Sequence, residues 1–126
     1  MNEQGGESSS RPGATELLSA VRFQEELRRV GRFFRSRLSV GDPLEATVRK
    51  IEQNPAFSQS RLLTRILAAL AFQQGEFRRA EVSALDAETL SMVISLMDVH
   101  AAGTSTREEW VRAADAAKAA QAGAGG

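Results

Sequence analysis

His100 is the only histidine, and the chain has no cysteine and no tyrosine. A hydrolytic triad therefore has one available base, and no Gly-x-Ser-x-Gly sequence presents a nucleophile to it. No glycine-rich phosphate loop of the Walker or dinucleotide type is present. The dipole at the C-terminal end of a helix favours a charged histidine, which accounts for His100 without catalysis. These residue types predict a non-enzymatic protein without a cofactor.

A glycine followed six residues later by a glutamate occurs twice, as Gly75 with Glu81 and as Gly103 with Glu109. Each glycine follows an apolar run, and each glutamate stands where another helical run could begin. The second glutamate is followed directly by Trp110. The pattern therefore predicts the succession of helix, tight loop and helix at two places near the C-terminal end.

The twelve-residue loop of a calcium-binding EF-hand has glycine at its sixth position and glutamate at its twelfth. Over residues 98–109 this frame places Asp98 first, Gly103 sixth and Glu109 twelfth. The other glycine and glutamate fit the sixth and twelfth positions of the same frame. Residues 60–118 therefore resemble a degenerate pair of EF-hands, which implies two helix-loop-helix units and a calcium-sensor-like ancestry.

The better loop departs from the EF-hand pattern where calcium needs its ligands. His100 and Ala102 occupy the third and fifth positions, so the side-chain candidates for a metal are Asp98, Thr106 and Glu109. Calcium takes six to eight oxygens, so the resemblance implies no tight calcium binding. Ordinary helix capping produces the same spacing, and a plain pair of helix hairpins is the alternative.

The first helix is predicted to run from near Thr15 to Val40–Gly41. Its apolar residues recur at helical spacing and form one stripe: Phe23, Leu27, Val30, Phe34 and Leu38. The opposite face carries a row of arginines: Arg28, Arg32 and Arg35. Leu17, Leu18 and Val21 lie off the stripe, so they are predicted to contact something else or to stay partly exposed.

Capping signals predict where the later helices begin. Asp42 followed by Pro43 starts a second helix, which Asn54–Pro55 stops. Ser58 or Ser60 caps a third helix that is apolar nearly all round and ends at Gly75, and Ser83 or Asp86 caps a fourth that ends at Gly103. Thr106 caps a fifth.

Residues 76–85 are predicted to form a loop with one or two helical turns. No strand is predicted, because no sustained alternation of apolar and polar residues occurs.

A chain of 126 residues has room for one domain. The predicted organisation is a disordered N-terminal tail over residues 1–14, a helical domain over 15–119 and a flexible Ala/Gly tail over 120–126. The predicted fold class is all-α, a single compact domain of four to five helices with disordered termini, built around residues 60–73.

Composition bounds the compartment and the partners. The longest apolar run, Ile66–Phe72, is far shorter than the ~20 residues that span a bilayer, so no membrane association is predicted. The absence of cysteine gives no sign of an oxidising compartment, and a cytoplasmic location is predicted. Residues 1–13 are polar and do not form a Sec-type signal peptide, although they are compatible with the non-cleaved export signals of some bacterial secretion systems.

The predicted function is a helical interaction or regulatory module that binds a protein or peptide in an apolar groove with a charged rim. The predicted partner contacts on the first helix are Leu17, Leu18, Val21, Arg28, Arg32 and Arg35. The EF-hand resemblance adds a cleft lined by Met92, Leu96, Met97 and Trp110.

Two alternatives stay open: a nucleic-acid-binding regulator that uses the arginine row, and a degenerate calcium sensor. The net charge of zero argues against nucleic acid, because phosphate binding usually comes with a basic domain. An acidic partner surface, including the acidic C-terminal half of a second copy, would also suit the arginine row.

Overall fold

The computed structural model describes Gly13, residues 15–31 and residues 42–125. Within these residues the chain forms five α-helices, one 3-10 turn and one two-stranded sheet. In chain order they are β1 (Leu17–Ser19), α1 (Ala20–Gly31), α2 (Pro43–Gln53), α3 (Ser58–Phe72), β2 (Glu76–Arg78), the 3-10 turn (Arg79–Glu81), α4 (Ala87–Ala102) and α5 (Arg107–Gly125). One hydrophobic core joins them, so the predicted all-α single domain is confirmed.

Helix α3 lies at the centre of the fold because its sequence is apolar on almost every side. Nine of its fifteen residues are buried, as expected for a helix that packs against neighbours on several sides. Leu63 and Leu67 have no exposed surface. Helices α2, α4 and α5 pack around α3, while α1 packs against α4.

Three helices begin at predicted capping residues. Asp42 accepts hydrogen bonds from backbone N–H groups in the first turn of α2, and Asp86 accepts one in the first turn of α4 at 2.7 Å. Thr106 and Glu109 form a capping box at the start of α5: the Thr106 N–H donates to the Glu109 carboxylate at 2.7 Å, and the Glu109 N–H donates to the Thr106 hydroxyl at 3.1 Å. At the other end of α4, Gly103 ends the helix as predicted and has a left-handed conformation, with φ +68°.

The predicted ends of α3 are wrong in two details. Phe57 precedes the first turn and its side chain makes no cap, while Ser60 is buried inside the helix. The left-handed residue that ends α3 is Gln73, with φ 56°. Gly75 instead has φ +139°, a conformation that other residues rarely adopt. It leads directly into β2.

The prediction that the chain has no strand is wrong. Strands β1 and β2 pair antiparallel, and Leu18 lies opposite Phe77 with both side chains buried. The first helix accordingly begins at Ala20 and not at Thr15, because the Ser19 hydroxyl accepts a hydrogen bond from an N–H of the first helical turn. Residues 76–85, predicted as a loop with helical turns, contain β2 and the 3-10 turn.

Several predictions fall on residues outside those described. These are the end of the first helix near Val40–Gly41, the apolar residues Phe34 and Leu38, and most of the predicted tail over residues 1–14. Helix α5 extends through Gly125, into the segment from Ala120 that the sequence assigned to a flexible tail. Among the described residues, no helix combines the length and the apolarity that crossing a bilayer requires.

Candidate interaction surfaces

A cluster of paired charges joins α1 to the segment after β2. Arg79 donates to Glu16 at 2.9 Å and to Glu26 at 3.2 Å, and Arg29 also pairs with Glu26. The Glu26 side chain is 12% exposed. The hydrogen bond from Arg29, aided by the charge of Arg79, outweighs this burial and lowers the pKa of Glu26. These ion pairs therefore have a structural role, because they join α1 and the residue before β1 to the 3-10 turn.

A second cluster fixes β2 to α3. Arg65 donates to the Glu81 carboxylate and, at 2.8 Å, to the Glu76 carbonyl, and its guanidinium lies 4.8 Å from the centroid of the Phe77 ring. Burial raises the pKa of Glu81, but the hydrogen bonds from Arg65 and from the Arg78 N–H together lower it below its ordinary value. The combination of ion pair and cation–π contact gives this cluster a structural role.

The arginine row of the first helix is partly described. Arg28 donates to Asp98 on α4 at 3.2 Å, and Arg29 is engaged with Glu26. Arg32 and Arg35 lie outside the described residues. The arginines that the structure describes on this helix face therefore meet carboxylates of the same chain.

The three apolar residues that lie off the stripe separate into two kinds. Leu18 is buried against the core at 3% exposure. Leu17 and Val21 are 60% and 64% exposed, which is high for large apolar side chains. Leu17 belongs to β1 and Val21 to the first turn of α1, and a partner could reach either side chain.

The predicted methionine-lined cleft is closed in the structure. Met92, Leu96, Met97 and Trp110 are all buried, with exposures of 7% or less. They belong to the core cluster between α4, α5 and α3. A partner could contact them only if α4 and α5 moved apart.

The candidate metal residues are engaged in other interactions. Asp98 pairs with Arg28, and both Thr106 and Glu109 serve the capping box of α5. In the described part of the chain, no group of three or more histidine, cysteine or acidic side chains could hold a metal ion.

His100 lies in the last turn of α4, as its helix-end position predicts. Its ring meets the Trp110 ring edge to face, with centroids 5.1 Å apart. The ring also lines a small polar hollow of about 180 Å³ with Gln73 and Arg107. Among the described residues no carboxylate lines this hollow beside His100, and a carboxylate is the group that orients the histidine of a hydrolytic triad.

A groove with a volume of about 390 Å³ lies between α2 and α5. Leu44 and Val48 of α2 and Ala113 and Ala116 of α5 form its floor. They recur at spacings of four and three, so each pair follows one side of its helix. The small alanines keep the α5 side low, which leaves the groove open to solvent.

Charged side chains form the rim of this groove, which the sequence patterns did not locate. Glu45 and Arg49 pair across one turn of α2 at 3.7 Å. Glu52 on α2 and Arg112 on α5 are exposed and pair with no described residue. The spacing of Leu44 and Val48 predicts an apolar face on α2. The alanines of α5 are compatible with any helix face, so the sequence does not indicate which of them line a groove.

No family model, curated protein or solved structure matches this chain. The function must therefore be inferred from the surfaces themselves.

Proposed function

We propose that this protein is a non-enzymatic interaction module that binds an amphipathic helix of a partner protein in the groove between α2 and α5. The groove itself is the observation that carries the proposal. Its floor is apolar and its rim is charged. It opens to solvent between α2 and α5, which pack against each other. A partner helix could lay its apolar ridge on Val48 and Ala116, in the mode by which helices bind hydrophobic grooves.

The lining favours a helix over a small molecule. Small-molecule sites place a few polar groups inside an apolar cavity, and these fix the orientation of the ligand. The polar side chains of this groove, including Glu52 and Arg112, are exposed at the rim. A chain that contacts the floor with apolar residues and the rim with charged ones uses both parts of the surface.

The rim charges specify the partner further. The Glu45–Arg49 pair is satisfied within α2, which leaves Glu52 and Arg112 to meet the partner. These two charges have opposite sign and stand on different helices. The bound helix should therefore carry a basic residue on the side of Glu52 and an acidic residue on the side of Arg112. Such an arrangement favours one orientation of the partner over the reverse.

The nucleic-acid alternative has less support. Arg28, the described member of the arginine row, pairs with Asp98 of the same chain. Its neighbour Arg29 pairs with Glu26. Phosphate binding would have to break these pairs. The net charge of zero also supplies no long-range attraction to a polyanion.

The proposal is tested by filling the groove. Ala116→Trp places a bulky ring on the floor, whereas Ala119→Trp places the same ring on an exposed position of α5 that does not line the groove. Wild type and both variants serve as baits for affinity capture from the native host, with captured proteins quantified by mass spectrometry. Equal thermal midpoints of the three baits establish that all are folded.

We expect one set of captured proteins to be shared by wild type and Ala119→Trp and to be lost with Ala116→Trp. The same set with all three baits would contradict binding in the groove. A set lost equally with both variants would place the contact on α5 outside the groove.

A further inference from the structure

The two edges of the small sheet differ in how their backbone groups are satisfied. On the outer edge of β2, the Glu76 carbonyl accepts a hydrogen bond from Arg65 and the Arg78 N–H donates one to Glu81, each at 2.8 Å. Side chains of the same chain therefore occupy the positions where another strand would bond. This edge is closed to strand addition.

The outer edge of β1 has no such cover among the described residues. The Arg79 N–H donates to the Glu16 carbonyl at 2.9 Å, which makes Leu17 and Arg78 a non-hydrogen-bonded pair. The N–H and C=O of Leu17 consequently face away from β2. No described residue bonds to them beyond the sheet.

The side chains of β1 also lack the features that protect an edge. Natural edge strands are kept very short, carry charges or proline, or are covered by another element, and of these features β1 has only its shortness. Strand β1 reads Leu17-Leu18-Ser19, with no charge and no proline, and Leu17 is 60% exposed. Strand β2, with Glu76 and Arg78 on its exposed face, has the protection that β1 lacks.

We propose that a second copy of this chain pairs with β1 antiparallel, about a two-fold axis that passes beside Leu17. A two-fold contact requires a surface that is complementary to itself. Leu17 meets this requirement, because it offers one donor and one acceptor on the same edge. The two copies of Leu17 exchange both hydrogen bonds, and a four-stranded sheet of order β2-β1-β1-β2 results.

Charge does not oppose a second copy at this edge. The chain has a net charge of zero, so two copies do not repel one another as a whole. The charges beside β1 are already paired within each copy, Glu16 with Arg79 at 2.9 Å and Arg22 with Glu25 at 3.6 Å. Because β1 has only three residues, the contact is small and its dimer forms at high protein concentration.

The first test removes both hydrogen bonds that the two copies of Leu17 exchange. Leu17→Pro deletes the outward N–H but none of the hydrogen bonds to β2, and proline is tolerated on strand edges whose N–H faces solvent. Leu17→Ala keeps the N–H and shortens the side chain. Sedimentation over a concentration series measures the average mass of wild type and of both variants, and circular dichroism checks that each is folded.

We expect the mass of wild type to rise from 13.6 kDa towards twice that value with concentration, and Leu17→Pro to stay monomeric. Leu17→Ala should dimerise at a higher concentration than wild type. A wild type that stays monomeric at every concentration would overturn the proposal, as would a Leu17→Pro variant that dimerises like wild type. With the second copy excluded in this way, a segment of the same chain or another protein would be left as the candidate occupant of this edge.

A second test does not depend on the proline variant. Because the chain has no cysteine, Leu17→Cys introduces a single thiol. In a hydrogen-bonded antiparallel pair the two Cα atoms lie ~5.5 Å apart, within the range that a disulfide spans. Phe57→Cys, at a position that is 63% exposed between α2 and α3, is the matched control.

Under mild oxidation we expect Leu17→Cys to form covalent dimers at least several times faster than Phe57→Cys. Equal rates would show that random collision accounts for the cross-link, and would overturn the proposal. Failure of Leu17→Cys to cross-link would overturn it as well. Binding of a partner helix in the groove between α2 and α5 is independent of both results.

Discussion

The rings of Phe23 and Phe77 lie parallel, with their centroids 3.9 Å apart and their planes inclined by 7°. Phe23 belongs to α1 and Phe77 to β2, and both are at most 2% exposed. Arg65 covers the Phe77 ring with its guanidinium. The stack therefore anchors α1 and the small sheet to the core formed by α3.

The buried stack should contribute strongly to stability. Phe77→Ala removes a buried ring and leaves a cavity, so we expect the free energy of unfolding to fall by about 3–5 kcal/mol. Phe57→Ala removes the same atoms from a side chain that is 63% exposed, and should change it by less than about 0.5 kcal/mol. Denaturant unfolding followed by circular dichroism measures both. Similar losses for the two variants would contradict the packing described here.

Acid should weaken the fold through carboxylates whose pKa is lowered. The hydrogen bond from Arg29 lowers the pKa of Glu26 below 4.5, and the Thr89 N–H lowers that of Asp86 below 3.8. A carboxylate with a lowered pKa binds fewer protons in the folded state than in the unfolded state. It therefore stabilises the folded state at pH values above its ordinary pKa. This stabilisation is lost as the pH falls through the folded pKa. Unfolding free energy should therefore decrease from neutral pH towards pH ~3.

Glu26→Gln isolates one of these groups. The loss of stability relative to wild type should be largest near neutral pH and should shrink below the ordinary glutamate pKa of 4.5, where Glu26 itself becomes protonated. Glu108→Gln, on an exposed residue without an ion pair in the described residues, is the control. A difference between Glu26→Gln and wild type that does not vary with pH would show that Glu26 acts through packing alone.

Two glycines should respond to alanine with opposite sign. Gly103 ends α4 at φ +68°, and nothing lies within 4 Å of an added methyl, so Gly103→Ala costs only backbone strain, about 1 kcal/mol. Gly123 lies within helix α5 and is equally open. Gly123→Ala should stabilise the protein by up to about 1 kcal/mol. Thermal unfolding of both variants measures the signs, and a stabilising Gly103→Ala would refute the left-handed cap.

Calcium should leave the stability unchanged. Asp98 is paired with Arg28, and Glu109 with the Thr106 N–H, so two of the three acids of residues 98–109 have partners within the chain. A ligand of the folded state at 100 times its Kd would add about 2.7 kcal/mol to the unfolding free energy. We expect equal thermal midpoints in millimolar calcium and in chelator. A higher midpoint in calcium would revive the calcium-sensor hypothesis.

Short-range chemistry explains which elements could be predicted. Asp42, Asp86 and Thr106 cap helices through bonds to residues two or three positions away, so the signal and the structure occupy the same few residues. The apolar run of α3 identified the central helix for the same reason. These features depend little on the rest of the chain.

Features that depend on distant residues could not be predicted. Strand β1 exists because Leu18 meets Phe77, and a three-residue strand has no pattern of its own. The groove exists because α5 places Ala113 and Ala116 beside α2, and nothing in the alanines indicates which neighbour they face. Met92 and Trp110 have the composition of a binding surface, yet the packing of α4 against α5 buries them.

The pairing of β1 with β2 also bears on the order of folding. The two strands are about sixty residues apart along the chain, whereas each helix forms from neighbouring residues. Closing so long a loop has an entropic cost that is best met after α3 has collapsed with α4 and α5. The sheet should therefore form late, and mutations in β1 should speed unfolding more than they slow refolding.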